Sequence, residues 1–217
     1  MTPIRIVLVD DHQLFREGLR AVLERTADIK VVGEASDGRA GVEMTIKLKP
    51  EIVIIDIGMR ELNGIDATRQ ICSFDPAIRV IALSAHNDRR YVAAMFEVGA
   101  MGYVLKEAAS EQMISAIRAV HSGRKFLCPG VADYVIDGYI GRASAPPAAP
   151  GGLAPREREV VQLLAEGASS KYIAARLQIS VKTVETHRRN IMRKLNIHSV
   201  AAITKYAIRE GMTSTEH

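Results

Sequence analysis

Through the first half of the chain, apolar residues arrive in short runs separated by longer amphipathic stretches. The runs 4–9, 29–33, 52–56, 79–84 and 102–105 are rich in Ile, Val, Leu and Ala, as strands covered on both faces must be. Between and after them, 12–25, 37–48, 63–73, 88–98 and 110–122 carry apolar residues at helical spacing. In the first of these, Leu14, Leu19, Val22 and Leu23 form the stripe expected to face a core. Strand–helix repeats of this kind predict an α/β fold with a five-stranded, parallel, doubly wound sheet. The pattern changes at Gly141 to Gly152, which has no large apolar side chain, and whose prolines and glycines oppose regular structure. That segment reads as a tether. Beyond it, 155–166, 169–177, 181–195 and 199–209 show only helical periodicity and predict an all-α unit of four helices. The organisation read from the pattern is 1–125, a connector over 126–152 and a second domain over 153–217.

Ligands of doubly wound sheets bind beyond the carboxyl ends of the strands. Asp10, Asp56, Ser84 and Lys106 all fall at or just after such ends, and Asp11 follows Asp10. Three carboxylates brought together repel one another unless a cation sits among them, and an all-oxygen set of high charge favours Mg²⁺. This arrangement suits an aspartate that accepts a phosphoryl group, with Lys106 as a second positive charge and the Ser84 hydroxyl as a donor. An aspartyl phosphatase is disfavoured, because Gly58 stands where a second, acid-supplying Asp would be needed.

Charge adds a second function. Residues 1–152 hold 18 Lys and Arg against 19 Asp and Glu, a net of −1, whereas 153–217 hold 11 against 6, a net of +5. A small basic unit suggests a polyanionic partner. Within it, Gln178-Ile179-Ser180 makes the short connection of a helix-turn-helix, and 181–195 has two faces. Val184, Ile191 and Leu195 should bury, while Lys182, Glu185, Thr186 and Arg189 share another side suited to a DNA major groove. No apolar run approaches the roughly 20 residues that cross a bilayer. Cys72 and Cys128 lack metal-type spacing and fit a reducing cytoplasm.

On these residues the chain resembles a known family. Residues 1–125 are similar to the flavodoxin-like receiver domain of bacterial two-component response regulators. The match runs through Val9-Asp10-Asp11-His12, Asp56 with Met59 and Gly64 after it, Ser84-Ala85, and Gly102-Tyr103-Val104-Leu105-Lys106. Residues 153–209 resemble LuxR-type helix-turn-helix domains. Here the marks are Pro155-Arg156-Glu157-Arg158-Glu159-Val160, Ile173-Ala174-Ala175-Arg176-Leu177 and Thr183-Val184-Glu185-Thr186-His187-Arg188. Their order is that of NarL/FixJ-type response regulators, and on this resemblance residues 126–138 form a short connecting helix before the tether.

The resemblance implies a transcription regulator rather than an enzyme, with Asp56 as phosphoacceptor for a sensor histidine kinase. It implies Mg²⁺ held by Asp10, Asp11, Asp56 and the Gly58 carbonyl, with Ser84, Lys106 and Tyr103 as the switch. It further implies base contacts from Glu185, Thr186 and Arg189, and phosphate contacts from Lys182, Thr183, Arg188 and Lys194. A homodimer in the phosphorylated form and RNA polymerase are the expected partners beside DNA and kinase. Two positions depart from the family pattern: Arg60 replaces the usual Pro, and Ala154 replaces the Thr or Ser that caps the first helix of the second domain. Loss of that cap is worth about 1 kcal/mol.

Overall fold

Alternate residues of each strand enter opposite layers, and in this chain both layers are filled. The computed structural model describes residues 2–85, 89–108, 110–132 and 152–213, and the chain divides into two units, 1–143 and 144–217. The first unit runs β1 (Ile4–Val9), α1 (Gln13–Leu23), β2 (Ile29–Ala35), α2 (Gly38–Leu48), β3 (Ile52–Asp56), α3 (Gly64–Phe74), β4 (Arg79–Ser84), α4 (Arg89–Glu97), β5 (Gly102–Leu105), α5 (Ser110–His121) and β6 (Phe126–Leu127). All strand pairs are parallel, in the order β2-β1-β3-β4-β5-β6. One core layer joins Val7, Val53, Val80 and Tyr103 to Val42 of α2, Ile65 and Ile71 of α3, and Val92 and Met95 of α4. The other joins Ile6, Ile54, Ile81 and Val104 to Leu23 of α1 and Met113, Ile117 and Val120 of α5. The doubly wound sheet follows from these strands, since only helices on both faces can cover them.

Three expectations need correction. The sheet has six strands, not five, and the connecting helix does not start at 126. Phe126 and Leu127 pair with Gly102 and Tyr103 of β5, helical residues follow from 129, and 133–138 of the expected helix lie outside the described residues. The Cys128 amide donates to the Tyr103 carbonyl at 3.1 Å, while Cys128 and Val131 are buried in the layer that holds Tyr103. A two-residue strand is too short to show periodicity, which is why the pattern hid it. Second, Leu14 is 86% exposed, and Leu19 and Val22 are only half-buried, so Leu23 alone of the expected stripe is in the core. Third, β2 extends to Ala35 past a register irregularity opposite Ile6 and Val7. Of the tether, residues 141–151 lie outside the described residues.

The second unit contains α6 (Pro155–Ala165), α7 (Ser170–Arg176), α8 (Val181–Leu195) and α9 (Val200–Arg209) among its described residues. Val160, Leu163, Ile173, Leu177, Val184, Ile191, Ile203 and Ala207 form its core, with Leu195 only partly buried against it. Ser169, Ser180 and Ser199 cap the last three helices by accepting from the amides of Tyr172, Thr183 and Ala202. Gly167 ends α6 at φ +81°, where a left-handed residue lets the Ala168 amide reach the Leu163 carbonyl. Ala154 has no side-chain cap to offer. Glu157 compensates by accepting from the Ala154 amide at 2.8 Å, which retains half of a capping box.

Candidate functional site

The β1 and β3 strands are neighbours, and the chain order reverses between them, so the crevice at their carboxyl ends is the switch point of the sheet. Asp56 is the last residue of β3, Asp10 follows β1, Ser84 closes β4, and Lys106 follows β5. Asp10, Asp56 and Ser84 are buried, and the Lys106 ammonium is mostly so. Lys106 Nζ lies 2.7 Å from Oδ2 of Asp56 and 2.8 Å from Oδ2 of Asp10, and stands over the Phe15 ring. Backbone geometry aims the carboxylates. The Gly58 amide donates to Asp56 Oδ1 at 3.2 Å and the His12 amide to Asp10 Oδ1 at 2.8 Å, while Arg16 holds the Asp10 carbonyl. Gly64 is required where it stands: a Cβ there would fall 2.1 Å from the Asp56 carbonyl oxygen.

Burial, and next the charge of Asp10, push the Asp56 carboxyl above its ordinary range, and Lys106 offsets only part of this. Burial also works against the Lys106 ammonium, but the attraction of Asp56 and Asp10 outweighs it and raises its pKa. One ammonium is thus shared by two buried carboxylates. Ligand atoms of Asp10, Asp11, His12 and Asp56 lie within 4.8 Å of one another, and the buried Oδ1 of Asp11 faces the His12 Nδ1 at 2.9 Å. Such an oxygen-rich, under-neutralised set fits a hard divalent cation.

The other expected site is the exposed side of α8. Lys182, Thr186 and Arg189 are exposed there, and Thr183, Glu185 and Arg188 are half-buried. The Thr186 hydroxyl donates back to the Lys182 carbonyl at 2.9 Å, and Thr183 is engaged with the Ser180 hydroxyl at 2.8 Å. Glu185 accepts from the Ser170 hydroxyl of α7 at 2.5 Å. Lys194 is used differently from its neighbours: its ammonium donates to Glu157 of α6 at 2.6 Å.

Both domains have counterparts in known proteins. Residues 6–118 match the response regulator receiver domain, and residues 152–207 match the bacterial regulatory proteins of the luxR family. This chain is a LuxR-family response regulator. The transcriptional regulatory protein MctR of Rhizobium johnstonii is 37% identical over 211 residues, covering 97% of this chain and 96% of that protein. LiaR of Bacillus subtilis is 38% identical over 97% of this chain and 100% of its own. A solved complex of the two-component response regulator RcsB with DNA matches at a TM-score of 0.60 and 27% identity, over 96% of this chain and 99% of that one. This response regulator joins a receiver to a LuxR-type DNA-binding domain, and its function is to regulate transcription.

Sequence reasoning placed Asp10, Asp11, Asp56, Ser84 and Lys106 in one crevice of this response regulator; the structure brings Asp10, Asp11, Asp56 and Lys106 together and ends β4 with a buried Ser84 at the same rim. Tyr103 is fully buried, with no exposed surface. Sequence reasoning missed His12, whose Nδ1 is 2.9 Å from Asp11 and 3.4 Å from Lys106, although its place next to the acidic pair was a signal. It also missed Glu61. Arg60, which departs from the family pattern, is exposed, but Glu61 is the residue held at φ +65°, in the left-handed region that favours glycine.

Proposed function

We propose that Asp56 takes a phosphoryl group from the phosphohistidine of a sensor histidine kinase, and that the phosphorylated chain binds operator DNA as a homodimer through α8. The convergence of Asp10, Asp11, Ser84 and Lys106 on Asp56 carries this reading, above all the 2.7 Å contact of Lys106 with the Asp56 carboxylate. In the transfer, an oxygen of Asp56 forms a bond to phosphorus as the phosphorus–nitrogen bond breaks, and the imidazole leaves with the electron pair. Such a reaction needs in-line positioning and charge neutralisation more than acid–base help. Asp10, Asp11, Asp56 and the Gly58 carbonyl would hold Mg²⁺, which when bound supplies part of that neutralisation. Lys106 and the Ser84 hydroxyl act on the phosphoryl oxygens, and Tyr103 on the adjoining strand follows Ser84. The chain catalyses no metabolic reaction: its chemistry is phosphoryl uptake from donors and later loss by hydrolysis.

On the DNA side, Lys182, Thr183 and Arg188 contact phosphates, and Glu185, Thr186 and Arg189 reach base edges. Lys194 joins the phosphate contacts only by releasing Glu157. Dimerisation follows from the weakness of one helix-turn-helix unit alone, since paired half-sites are spaced roughly 10 bp apart. In this reading the tether at 141–152 lets the receiver and the DNA-binding domain respond to phosphorylation, and the chain works in the cytoplasm beside RNA polymerase.

Intact mass after incubation with Mg²⁺ and acetyl phosphate or phosphoramidate tests the chemistry. The wild type should gain one phosphoryl group, Asp56→Asn none, and chelation of Mg²⁺ should abolish the gain. An adduct that persists in Asp56→Asn would assign the acceptor elsewhere.

A further inference from the structure

Glu185 is the one acidic residue among the 15 of α8, on a face otherwise supplied with Lys182, Thr186 and Arg189. Against a polyanion, a carboxylate opposes binding wherever it does not meet a donor. Its charge is not spent on neighbouring cations: among the described residues no ion pair joins it to Arg188 or Arg189, three and four positions on. Instead, the hydroxyl of Ser170, on the preceding helix of the pair, donates to Oε1 of Glu185 at 2.5 Å. That bond fixes one oxygen of a half-buried carboxylate and leaves Oε2 as an acceptor. A glutamate side chain that is free to rotate loses rotamer entropy when immobilised, and prior fixing by Ser170 removes part of that cost from binding.

We propose that Glu185, held by Ser170, makes this chain select cytosine at one position of each DNA half-site. The inference rests on the reading of α8 as the helix that enters the major groove. Two bases present an exocyclic amine there, cytosine through N4 and adenine through N6. Adenine sets its N7 acceptor beside the amine, and a carboxylate facing both is attracted by one and repelled by the other. Cytosine presents the donor without that acceptor, so the carboxylate favours it. The same charge weakens binding at every site lacking a donor, so Glu185 contributes discrimination rather than affinity. Ser170 is a positioning residue: it acts on the base through Glu185.

Selection from a random duplex library tests this, using the full-length chain treated with phosphoramidate and Mg²⁺, as wild type, Glu185→Gln and Ser170→Ala. The wild type should enrich a two-fold motif with cytosine at one position per half-site. Glu185→Gln should replace that cytosine with adenine, whose N6 and N7 a glutamine amide can engage together. It should also bind unrelated DNA more tightly, by roughly threefold at low salt, because one negative charge has left the interface. Ser170→Ala should keep the cytosine with weaker enrichment and unchanged affinity for unrelated DNA. If both variants enrich the wild-type motif and only melt earlier, Ser170 and Glu185 merely brace the two helices and the inference is overturned. A wild type that enriches no motif overturns base reading by α8 and the cytosine preference with it. A wild type that enriches a motif without the cytosine overturns the preference alone.

Discussion

Each unit of the chain contains a buried carboxylate bonded to a lysine, and the two pairs behave in opposite ways. Lys106 meets Asp56 at 2.7 Å in the receiver, and Lys194 meets Glu157 at 2.6 Å in the DNA-binding domain. Burial works against ionisation of both carboxyls. For Glu157 it is outweighed by Lys194 and by the Ala154 amide, and the pKa stands below the ordinary value. For Asp56, Asp10 adds repulsion and competes for the same ammonium, and the pKa stands above it. Near-equal distances therefore say little about what an ion pair does. The count of charges sharing the lysine decides whether the carboxylate is a brace or a reactive group under electrostatic load.

The comparison can be broken most severely at Gly64. A methyl group there meets the Asp56 carbonyl at 2.1 Å, so Gly64→Ala should destabilise the receiver by about 3 kcal/mol or more and displace Asp56. Hydrogen exchange on the full chain should then show lost protection in 1–125 and none lost in 153–217. Removing the brace comes next. Glu157→Ala leaves Lys194 and the Ala154 amide without their acceptor, at a cost of about 2 kcal/mol confined to the second domain. Asp56→Asn should act in the reverse direction. It relieves repulsion from Asp10 while Lys106 keeps Asp10 as partner, and should stabilise the receiver by about 1 kcal/mol in chelator, as residues kept for function rather than stability often do. A loss of stability there would mean that Lys106 neutralises both carboxylates fully.

Acidification gives the smallest effect and the sharpest contrast. The Glu157 pKa is lowered in the folded state, so its contribution is complete above the ordinary value of 4.5 and fades as pH falls through the lower folded value. The Asp56 pKa is raised, so its ionisation costs the fold stability as pH rises from 3.8 through the higher folded value. Protection measured against pH in chelator should therefore change with opposite sign at the two sites. The difference should vanish in Asp56→Asn and Glu157→Gln, respectively.

Much of this was legible in the sequence. Nearly continuous apolar runs marked the five longer strands, and the strand ends placed five chemical side chains in one crevice, because a parallel sheet offers one rim for all of them. What escaped depends on contacts between distant segments. Leu14 has helical spacing, but spacing does not say which turn of α1 overhangs the sheet. Lys194 looked like another cation of a basic helix, and only the fold shows Glu157, 37 residues earlier, beside it. The strain at Glu61 depends on the path of a loop, and sequence periodicity contains no signal for it.

The sixth strand changes where this protein can be cut. Phe126 and Leu127 are stitched to the strand that carries Tyr103, and Cys128 and Val131 fill space in the receiver's own core. A chimaera that replaces the DNA-binding domain by splicing at residue 125 would strip the sheet of its edge and open a hole beneath β5. The exchangeable module, in recombination or in the laboratory, ends beyond Val131.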